Sequence, residues 1–486
     1  MPLILPGNVA SATASTTYDV ANSCRINGVD GYLTRTNPAT SPTLATKGTL
    51  SWWMKRTGKM RSYTEGYTIY TNGAIAPYLQ VAFNFTSADC PGKLLIDNNN
   101  GSPVCTLKPT ATYQDCGAWY HFCYTYDSTP ATPSSSSVKL FVNGVQVTVF
   151  DTEVYPAQND VFQGTVASSD YPIGHISGNF GQFYIAEIMQ VDGQALNADS
   201  FGEFDEDSPT IWKPKDISGI TVGNQGFYLD FSDADNLGTL ALGTGDFTET
   251  NIDATDQCTD TPTNNFCVIN PLDNYYAAST FSEGNCKIVT NSSNRTWNTG
   301  TIGLTAGKWY WEVKATEMSS DYQLFGISDI VTTSTTRQLG QDTYSYGLNG
   351  DNGTIYNNSN SSGTDWEEIA QGDIIGHYLD LDNNKMYWAK NGTVMNSGTG
   401  FSITAAASTG TGFYLPAFGE YAASDTLTAE ANFGGSPAFT VSSAVADTNG
   451  YGNFEYDPSD GGNASFDGSA KDFLAICTKN LGSDGG

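Results

Sequence analysis

The chain has 486 residues, of which 39% are hydrophobic and 12% aromatic, so it can hold two or three domains that each bury a full core. Its 51 acidic side chains against 21 lysines and arginines give a formal net charge of −30. That balance excludes nucleic acid and anionic membranes as partners, because phosphate binding is driven by cationic side chains.

The chain opens with residues 1–22, an N-terminal arm in which Ala10 to Thr17 is almost entirely alanine, serine and threonine. The first residues are apolar but have neither a basic leader nor a long apolar core. No signal peptide is therefore expected, and no other window approaches a membrane span. The nine cysteines are odd in number and show no C-x-x-C pair, so we expect free, buried thiols in a protein made in a reducing cytoplasm.

The first domain is predicted over residues 23–201, where helical signals are nearly absent and short alternating runs are separated by turn residues. A hairpin is predicted to turn on Asn143–Gly144. Taken in order, the runs resemble a laminin-G-like (concanavalin A-like) jelly roll. They are TLSWWMKR at 49–56, WYHFCYTYD at 119–127, VKLFVNGVQV at 138–147, IGH at 173–175 and GQFYIAEI at 181–188.

Residues 202–274 are predicted to be a connector rich in Asp, Thr, Gly and Asn. Its apolar segment GFYLDFS, at 226–232, is expected to pack on a sandwich and not to act as a free linker.

The second domain is predicted over residues 275–440. In its run GKWYWEV, at 307–313, Trp309, Trp311 and Val313 alternate with Tyr310 and Glu312, which is typical of a half-buried β-strand. This run and those after it resemble the strands of a SPRY (B30.2-like) domain, and the resemblance implies a binding sandwich. The later runs are FGIS at 325–328, YGLNG at 346–350, QGDIIGHYLDLD at 371–382, KMYWAKNG at 385–392, LPAFG at 415–419 and ANFG at 431–434.

A C-terminal tail, residues 441–486, follows the second domain and ends in an apolar cluster at 473–481. The whole chain is thus predicted to be all-β, with two jelly-roll-like antiparallel β-sandwiches joined by a partly ordered connector.

Several segments together are similar to structural proteins of tailed-phage virions, which often join a laminin-G-like module to a SPRY-like one. The resemblance implies location in the virion and contacts with other virion proteins, as a tail fibre, head fibre or capsid decoration. Whether the chain forms a homo-oligomer is left open. The segments are MPLILPG at 1–7, DGQAL at 192–196, FYLDFSDADNLG at 227–238, DTPTNNF at 260–266 and CTKNL at 477–481.

Catalytic motifs are weak in this sequence. The nearest match to the paired carboxylates of a glycosidase strand, Glu203–Asp207, has Asp where a second Glu is needed and precedes Ser208–Pro209, where a strand should end. We interpret this run as a solvated acidic turn. His121 and His377 lie in alternating strand segments without a nucleophile motif, so ordinary strand histidines are expected. We therefore predict that the protein is not an enzyme.

Calcium is the one cofactor that the sequence leaves open. Oxygen-bearing side chains occur in the turns at 97–101, 351–353 and 380–384. Hairpin turns demand the same Asn, Asp and Gly residues for positive φ, and none of the three has the EF-hand spacing. The interpretation as turns alone is therefore favoured.

Aromatic side chains are the best candidates for a ligand surface. Trp52 and Trp53 are adjacent in a strand and must point to opposite faces, so one fills the core while the other is either covered by a neighbouring domain or exposed for stacking on a sugar ring. A polar segment and the loops of the SPRY-like domain supply four more rings. Packing in a core or a subunit interface explains such residues as well. The candidate ligand contacts are Trp53, Trp297, Tyr344, Tyr346 and Tyr356.

The sequence as a whole predicts a non-enzymatic virion protein that presents recognition surfaces for host-surface glycan or protein. The alternative is a decoration or cement protein that contacts only other virion proteins. A polysaccharide depolymerase is a third hypothesis, for which no carboxylate pair can be nominated.

Overall fold

A computed structural model of the chain describes residues 18–58, 67–71, 77–83, 92–273, 279–290, 295–318, 323–330, 336–362, 366–422, 424–459, 466 and 472–483, apart from the side chains at 67, 68, 71, 103 and 362. The described residues divide into two compact units, the first within 18–263 and the second within 264–483.

The first unit consists of short strands with single 3-10 turns between some of them. The strands are β1 (Ser23–Asn27), β2 (Tyr32–Thr36), β3 (Lys47–Arg56), β4 (Tyr67–Thr71), β5 (Tyr78–Phe83), β6 (Leu94–Asn99), β7 (Pro103–Pro109), β8 (Trp119–Asp127), β9 (Lys139–Val142), β10 (Val145–Gln146), β11 (Phe150–Val154), β12 (Asp170–Ile173), β13 (His175–Ile176), β14 (Asn179–Phe180), β15 (Gln182–Asp192), β16 (Gly202–Phe204), β17 (Trp212–Pro214), β18 (Phe227–Leu229), β19 (Leu242–Gly243), β20 (Thr248–Thr250) and β21 (Gln257–Cys258).

Two antiparallel sheets make the sandwich of the first unit. The larger has the strand order β10-β9-β8-β3-β15-β1-β21, with β18 added beside β15 and β19 beside β18. The smaller has the order β11-β7-β6-β5-β4-β12-β2-β20, and the hairpins β13–β14 and β16–β17 lie outside both. The segment GFYLDFS thus supplies strand β18 of the larger sheet.

The core of the first unit shows how alternation in β3 and β8 fixes the packing. Trp52 and Phe122 point between the sheets and stack with ring centroids 5.3 Å apart, and both are buried. Trp53, on the opposite face of β3, belongs to a separate apolar cluster. The prediction that the two adjacent tryptophans point to opposite faces is confirmed.

The outer face of the larger sheet is also covered. Cys123, Met189 and Val191 on the strands pack against Phe201 and Ile217 from the segment that follows β15. This covering layer explains why β8 and β15 are buried almost throughout their length, although their sequences alternate.

The second unit is built in the same way. Its strands are β22 (Thr280–Ser282), β23 (Lys287–Val289), β24 (Trp297–Thr299), β25 (Lys308–Met318), β26 (Gln323–Ser328), β27 (Ser345–Asn349), β28 (Ile355–Asn357), β29 (Asn360–Ser362), β30 (Ile374–Asp380), β31 (Lys385–Lys390), β32 (Thr393–Val394), β33 (Phe401–Ser402), β34 (Leu415–Glu420), β35 (Leu427–Asn432) and β36 (Leu474–Ala475). A short helix, α1 (Thr478–Ser483), follows the last strand.

Two sheets again enclose the core. The larger has the order β22-β23-β35-β25-β30-β31-β32, with β33 beside β31 and β36 parallel to β25, and the smaller has the order β24-β34-β26-β27-β28-β29. Trp309, Trp311 and Val313 of β25 point into this core, as their spacing predicts.

The prediction that β25 is half-buried is wrong. Tyr310 and Glu312, on its other face, are also fully buried. The reason lies far along the chain, because Phe454, Phe466 and Phe473 pack over that face. The covering chain lies more than 140 residues away in sequence, since Glu455 and Tyr456 donate backbone hydrogen bonds to Glu312. The residue pattern within one strand cannot predict a layer from so distant a segment.

The all-β fold class is confirmed, with two antiparallel β-sandwiches. The cysteines whose state the structure describes are free and buried. No helix in the described ranges is long and apolar enough to cross a membrane.

Candidate functional site

An open groove of about 640 Å³ lies on the first unit, beside the β9–β10 and β16–β17 hairpins. Its walls combine aromatic, amide and charged side chains, a mixture suited to ligands that have both apolar and polar surfaces. Its lining includes Lys139, Asn197, Asp199, Phe204, Trp212 and Lys215.

Phe204 and Trp212 form the aromatic part of the groove. They are partners in register between β16 and β17, and their rings meet edge to face with centroids 4.9 Å apart. Phe204 is 41% exposed and Trp212 is partly exposed. Such a pair presents a rigid apolar surface to a ligand at little conformational cost, because an aromatic side chain has only two rotatable bonds.

The acidic run between the two rings forms the turn of this hairpin. Asp205 Oδ1 accepts hydrogen bonds from the backbone N–H groups of Asp207 and Ser208, at 3.1 and 2.9 Å. Lys213 Nζ lies 3.7 Å from the carboxylate of Glu203 and 3.8 Å from that of Asp205. The prediction of an acidic turn is thus confirmed, but the prediction that the run is solvated is wrong at Asp205, which is buried where it accepts these backbone hydrogen bonds.

A buried histidine fixes the position of Trp212. The indole Nε1–H of Trp212 donates to Nδ1 of His121 at 3.0 Å, and Nε2 of His121 lies 2.9 Å from the hydroxyl of Ser51. Because an indole nitrogen can only donate, Nδ1 must be the acceptor and Nε2 must carry the proton. Burial lowers the pKa of His121 to about 3, which keeps the ring neutral and preserves this arrangement.

Two glycines allow the chain to approach the indole closely. A Cβ atom added at Gly144 would lie 2.3 Å from the Trp212 ring, and one added at Gly202 would lie 2.7 Å from it. Gly144 also has φ +76°, in the hairpin turn that the sequence predicts at Asn143–Gly144. The indole thus packs against the backbone of β16 and of the β9–β10 turn, and its N–H is hydrogen-bonded to His121.

Polar side chains complete the groove. Lys139 Nζ donates to Asn197 Oδ1 at 3.1 Å. In the described part of the chain, neither Lys139 nor Lys215 has a carboxylate within ion-pair distance. Asp199 is exposed in the 3-10 turn that follows Asn197. The groove therefore offers two ammonium groups, an amide and a carboxylate around an aromatic surface.

The structure places the predicted ligand contacts Trp53 and Trp297 inside the protein. Trp53 is 3% exposed and packs against Val20, Trp119 and Tyr184, so its ring is covered within the first unit. Trp297 is 1% exposed in a cluster on the second unit. Neither ring is presented to solvent, and both alternatives for Trp53 are wrong, because its cover comes from its own unit and not from a neighbouring domain.

The three tyrosines belong to the second unit. Tyr346 is 3% exposed and donates to Thr404 Oγ1 at 3.2 Å, while Tyr344 is partly buried against the same core. Tyr356 is partly buried and packs against the Trp297 cluster. The structure thus brings Tyr356 close to the Trp297 cluster and leaves Trp53 in another unit. Ligand binding by these five residues stays a prediction.

The other candidate chemistry has structural roles. His377 is fully buried and stacks on Trp311, with ring centroids 4.8 Å apart, and burial lowers its pKa to about 3. His175 stacks on Tyr32 at 4.5 Å, and its Nε2 accepts the backbone N–H of Gly178.

The three turns considered for calcium also use their oxygens within the fold. Asp97 accepts hydrogen bonds from Tyr78 and Thr106, and Asp380 accepts two from Asn383. Asn352 Oδ1 accepts the backbone N–H of Thr354. Among the described residues, no group of three or more His, Cys, Asp or Glu side chains is arranged to hold a metal ion.

The groove residues Phe204 and Trp212 were missed at the sequence level. The interpretation of the run from Glu203 as an acidic turn is incomplete, because an aromatic residue at each end of a turn also predicts a short hairpin. That signal was available. The hydrogen bond from Trp212 to His121 was not, because it joins residues 91 positions apart.

Comparison with known proteins identifies one domain. The model of the SPRY domain family matches residues 308–433, which lie in the second unit. No curated protein matches the chain.

Solved structures with similar folds are distant. The SPRY domain of human HERC1 is 13% identical, with 34% of this chain and 96% of that chain covered and a TM-score of 0.29. A putative carbohydrate binding protein from Bacteroides ovatus is 16% identical, with coverage of 48% and 60% and a TM-score of 0.32. The SAP-like pentraxin from Limulus polyphemus is 14% identical, with coverage of 37% and 80% and a TM-score of 0.26. The predicted resemblance to a SPRY domain is confirmed by the family match over residues 308–433.

Proposed function

We propose that this protein is a non-enzymatic structural component of a phage virion and that it binds host-surface glycan through the groove on its first unit. The single observation that carries the glycan-binding role is the Phe204–Trp212 pair, which presents an aromatic edge and face in a groove lined by hydrogen-bonding side chains. Sugars combine an apolar C–H face with hydroxyl groups, and this groove has a partner for each. The virion setting rests on the sequence resemblance alone.

The second unit supports the same general role. Residues 308–433 match the model of the SPRY domain family. Resemblance to that family implies a binding sandwich. Two binding modules on one chain, repeated over many copies in a particle, would convert weak contacts into firm attachment.

The experiment is binding of the labelled full chain to intact candidate host cells. We expect saturable binding that Phe204→Ala and Trp212→Ala each weaken at least tenfold. Val29→Ala is the matched control, because Val29 is an exposed apolar residue of the same unit, 61% exposed, at the β1–β2 turn. Absence of cell binding by the wild type, or equal binding by all variants, would contradict the proposed role of the groove.

A decoration protein is the second candidate, favoured by an exposed sheet edge. Strand β11 is the outermost strand of the smaller sheet in the first unit, and Val149 and Val154 beside and within it are 65% and 39% exposed. Edge strands with exposed apolar side chains are sites of protein contact. Attachment of the protein to undecorated particles, without binding to cells, would support this candidate instead.

The depolymerase hypothesis is tested separately. Incubation of the pure protein with host-envelope polysaccharide and assay of reducing ends is expected to show no release. Sustained release of reducing ends would overturn the non-enzymatic assignment.

A further inference from the structure

We infer that the ligand of the groove is an acidic saccharide, whose carboxylate is bound by Lys139 and Lys215 while its ring packs on Phe204 and Trp212. This inference rests on the proposed glycan-binding function and specifies the class of sugar. Its basis is the charge inside the groove, compared with the charge on the rest of the chain.

Cationic side chains are scarce in this protein, and several of those that the structure describes are paired with carboxylates. Against a net charge of −30, Lys47, Lys55, Lys93, Lys213 and Lys287 each lie within 4.0 Å of a carboxylate. Lys139 and Lys215 have no such partner in the described ranges, and both line one groove.

The partners of the two groove lysines leave their charge uncompensated at close range. Lys139 Nζ donates to the neutral amide of Asn197, and Lys215 has no ion-pair partner in the described part of the chain. Of the carboxylates that line the groove, Glu203 is already engaged by Lys213 at 3.7 Å. Two ammonium groups in one groove can each form a charge-assisted hydrogen bond with an incoming carboxylate.

The remaining side chains distinguish an acidic sugar from other anions. Asp199 and the amide of Asn197 can accept or donate hydrogen bonds to hydroxyl groups, and a simple anion would be repelled by Asp199 without using the aromatic pair. A neutral sugar would use the aromatic pair and Asp199 but leave two ammonium groups without an anionic partner. A uronic acid carries the carboxylate, the hydroxyl groups and the apolar ring face together.

The test uses the full chain and three acidic polymers: polygalacturonate, alginate and hyaluronate, each beside its carboxyl-reduced counterpart. Affinity electrophoresis gives the dissociation constant for each polymer. We expect at least one acidic polymer to bind at least tenfold more tightly than its reduced form, with affinity that falls as salt is raised. The double variant Lys139→Gln/Lys215→Gln should lose at least tenfold in affinity for that polymer. Lys314→Gln, a lysine of the second unit that lies over the Phe439 ring, should not.

The outcomes separate this inference from the proposed function. Equal binding of acidic and reduced polymers, abolished by Phe204→Ala, would overturn the acidic ligand and leave glycan binding intact. Acidic binding that survives the double lysine substitution would place the anion site elsewhere and overturn the inference as well. If none of the polymers binds and the protein does not bind cells, both the inference and the proposed function are wrong.

Discussion

The two units differ in how the outer face of the larger sheet is covered. In each, the outer face of the larger sheet is covered by chain from outside the sheet. In the second unit this cover is a closed aromatic cluster, in which Phe466 and Phe473 pack on Tyr378 and Tyr387 with ring centroids 4.9 to 6.4 Å apart. In the first unit the cover ends in the β16–β17 hairpin and leaves the groove open beside Phe204 and Trp212.

The hydrogen bonds that hold the two covering layers also differ. Glu312 of β25 accepts hydrogen bonds from Tyr310 and Asn432 of the sheet itself and from the backbone N–H groups of Glu455 and Tyr456, so two of its four donors fasten the covering chain to one carboxylate. In the first unit Thr49 and Thr125 of the sheet donate to the backbone carbonyls of Gln194 and Leu196, and His121 is a neutral acceptor for the Trp212 indole. The Glu312 carboxylate therefore fastens buried backbone, whereas the bond to His121 fixes the orientation of a surface side chain.

The largest expected effect is on the closed cover. Glu312→Ala would leave the four donors without their acceptor in a buried site, and we expect it to lower the free energy of unfolding by about 3 kcal/mol or more. Urea denaturation measures the loss. Glu317→Ala is the control, because Glu317 lies on the same strand and is exposed, and it should change stability by no more than about 0.5 kcal/mol. Equal effects of the two substitutions would show that Glu312 does not anchor the cover.

A smaller effect is expected at the open cover. His121→Leu removes the acceptor of the Trp212 indole and should lower the free energy of unfolding by about 2 kcal/mol. It should also reduce polysaccharide affinity, although His121 itself is fully buried and cannot contact the ligand. His121→Gln retains an acceptor and should recover part of the affinity. If His121→Leu unfolds no more easily and binds as the wild type does, the histidine does not position Trp212.

The pH dependence of stability sharpens the role of His121. Its pKa of about 3 in the folded protein lies below the usual value near 6.5, so between these limits the unfolded chain binds a proton that the folded chain does not. Stability should therefore fall as the pH is lowered through 6.5. The wild type should lose about 1.4 kcal/mol between pH 7.5 and pH 5.5 relative to His121→Gln. The rings that contact His121 are those of Trp53, Phe201 and Trp212, and they carry no charge that would offset the effect of burial on its pKa. Parallel curves for the two proteins in chemical denaturation would contradict this account.

The smallest expected effect on stability separates binding from folding. Phe204 is exposed, so Phe204→Ala should change the free energy of unfolding by no more than about 0.5 kcal/mol while weakening ligand binding. Thermal unfolding and affinity electrophoresis on the same sample measure the two quantities. A large loss of stability would show that Phe204 is part of the packed cover and not of the binding surface.

The sequence predicted the strands well and the covering layers poorly. Alternation in β25 correctly placed Trp309 and Trp311 in the core, and Asn143–Gly144 correctly marked a hairpin turn. These signals are local. Which of Trp53 and Trp212 is exposed depends instead on segments distant in sequence, since Val20 and Trp119 cover Trp53 whereas His121 holds Trp212 at the surface. An aromatic residue in isolation carries no information on that outcome.

The central claim is that Trp212 contacts the ligand, and fluorine NMR of the full chain labelled with 5-fluorotryptophan tests it most directly. The resonance that disappears in Trp212→Phe identifies this residue among the nine tryptophans. On titration with the acidic polymer that binds most tightly, that resonance should shift most and should saturate, while those of the buried Trp53 and Trp297 should change little. A saturable shift of another tryptophan with the Trp212 signal unmoved would contradict the account and move the binding site away from the groove.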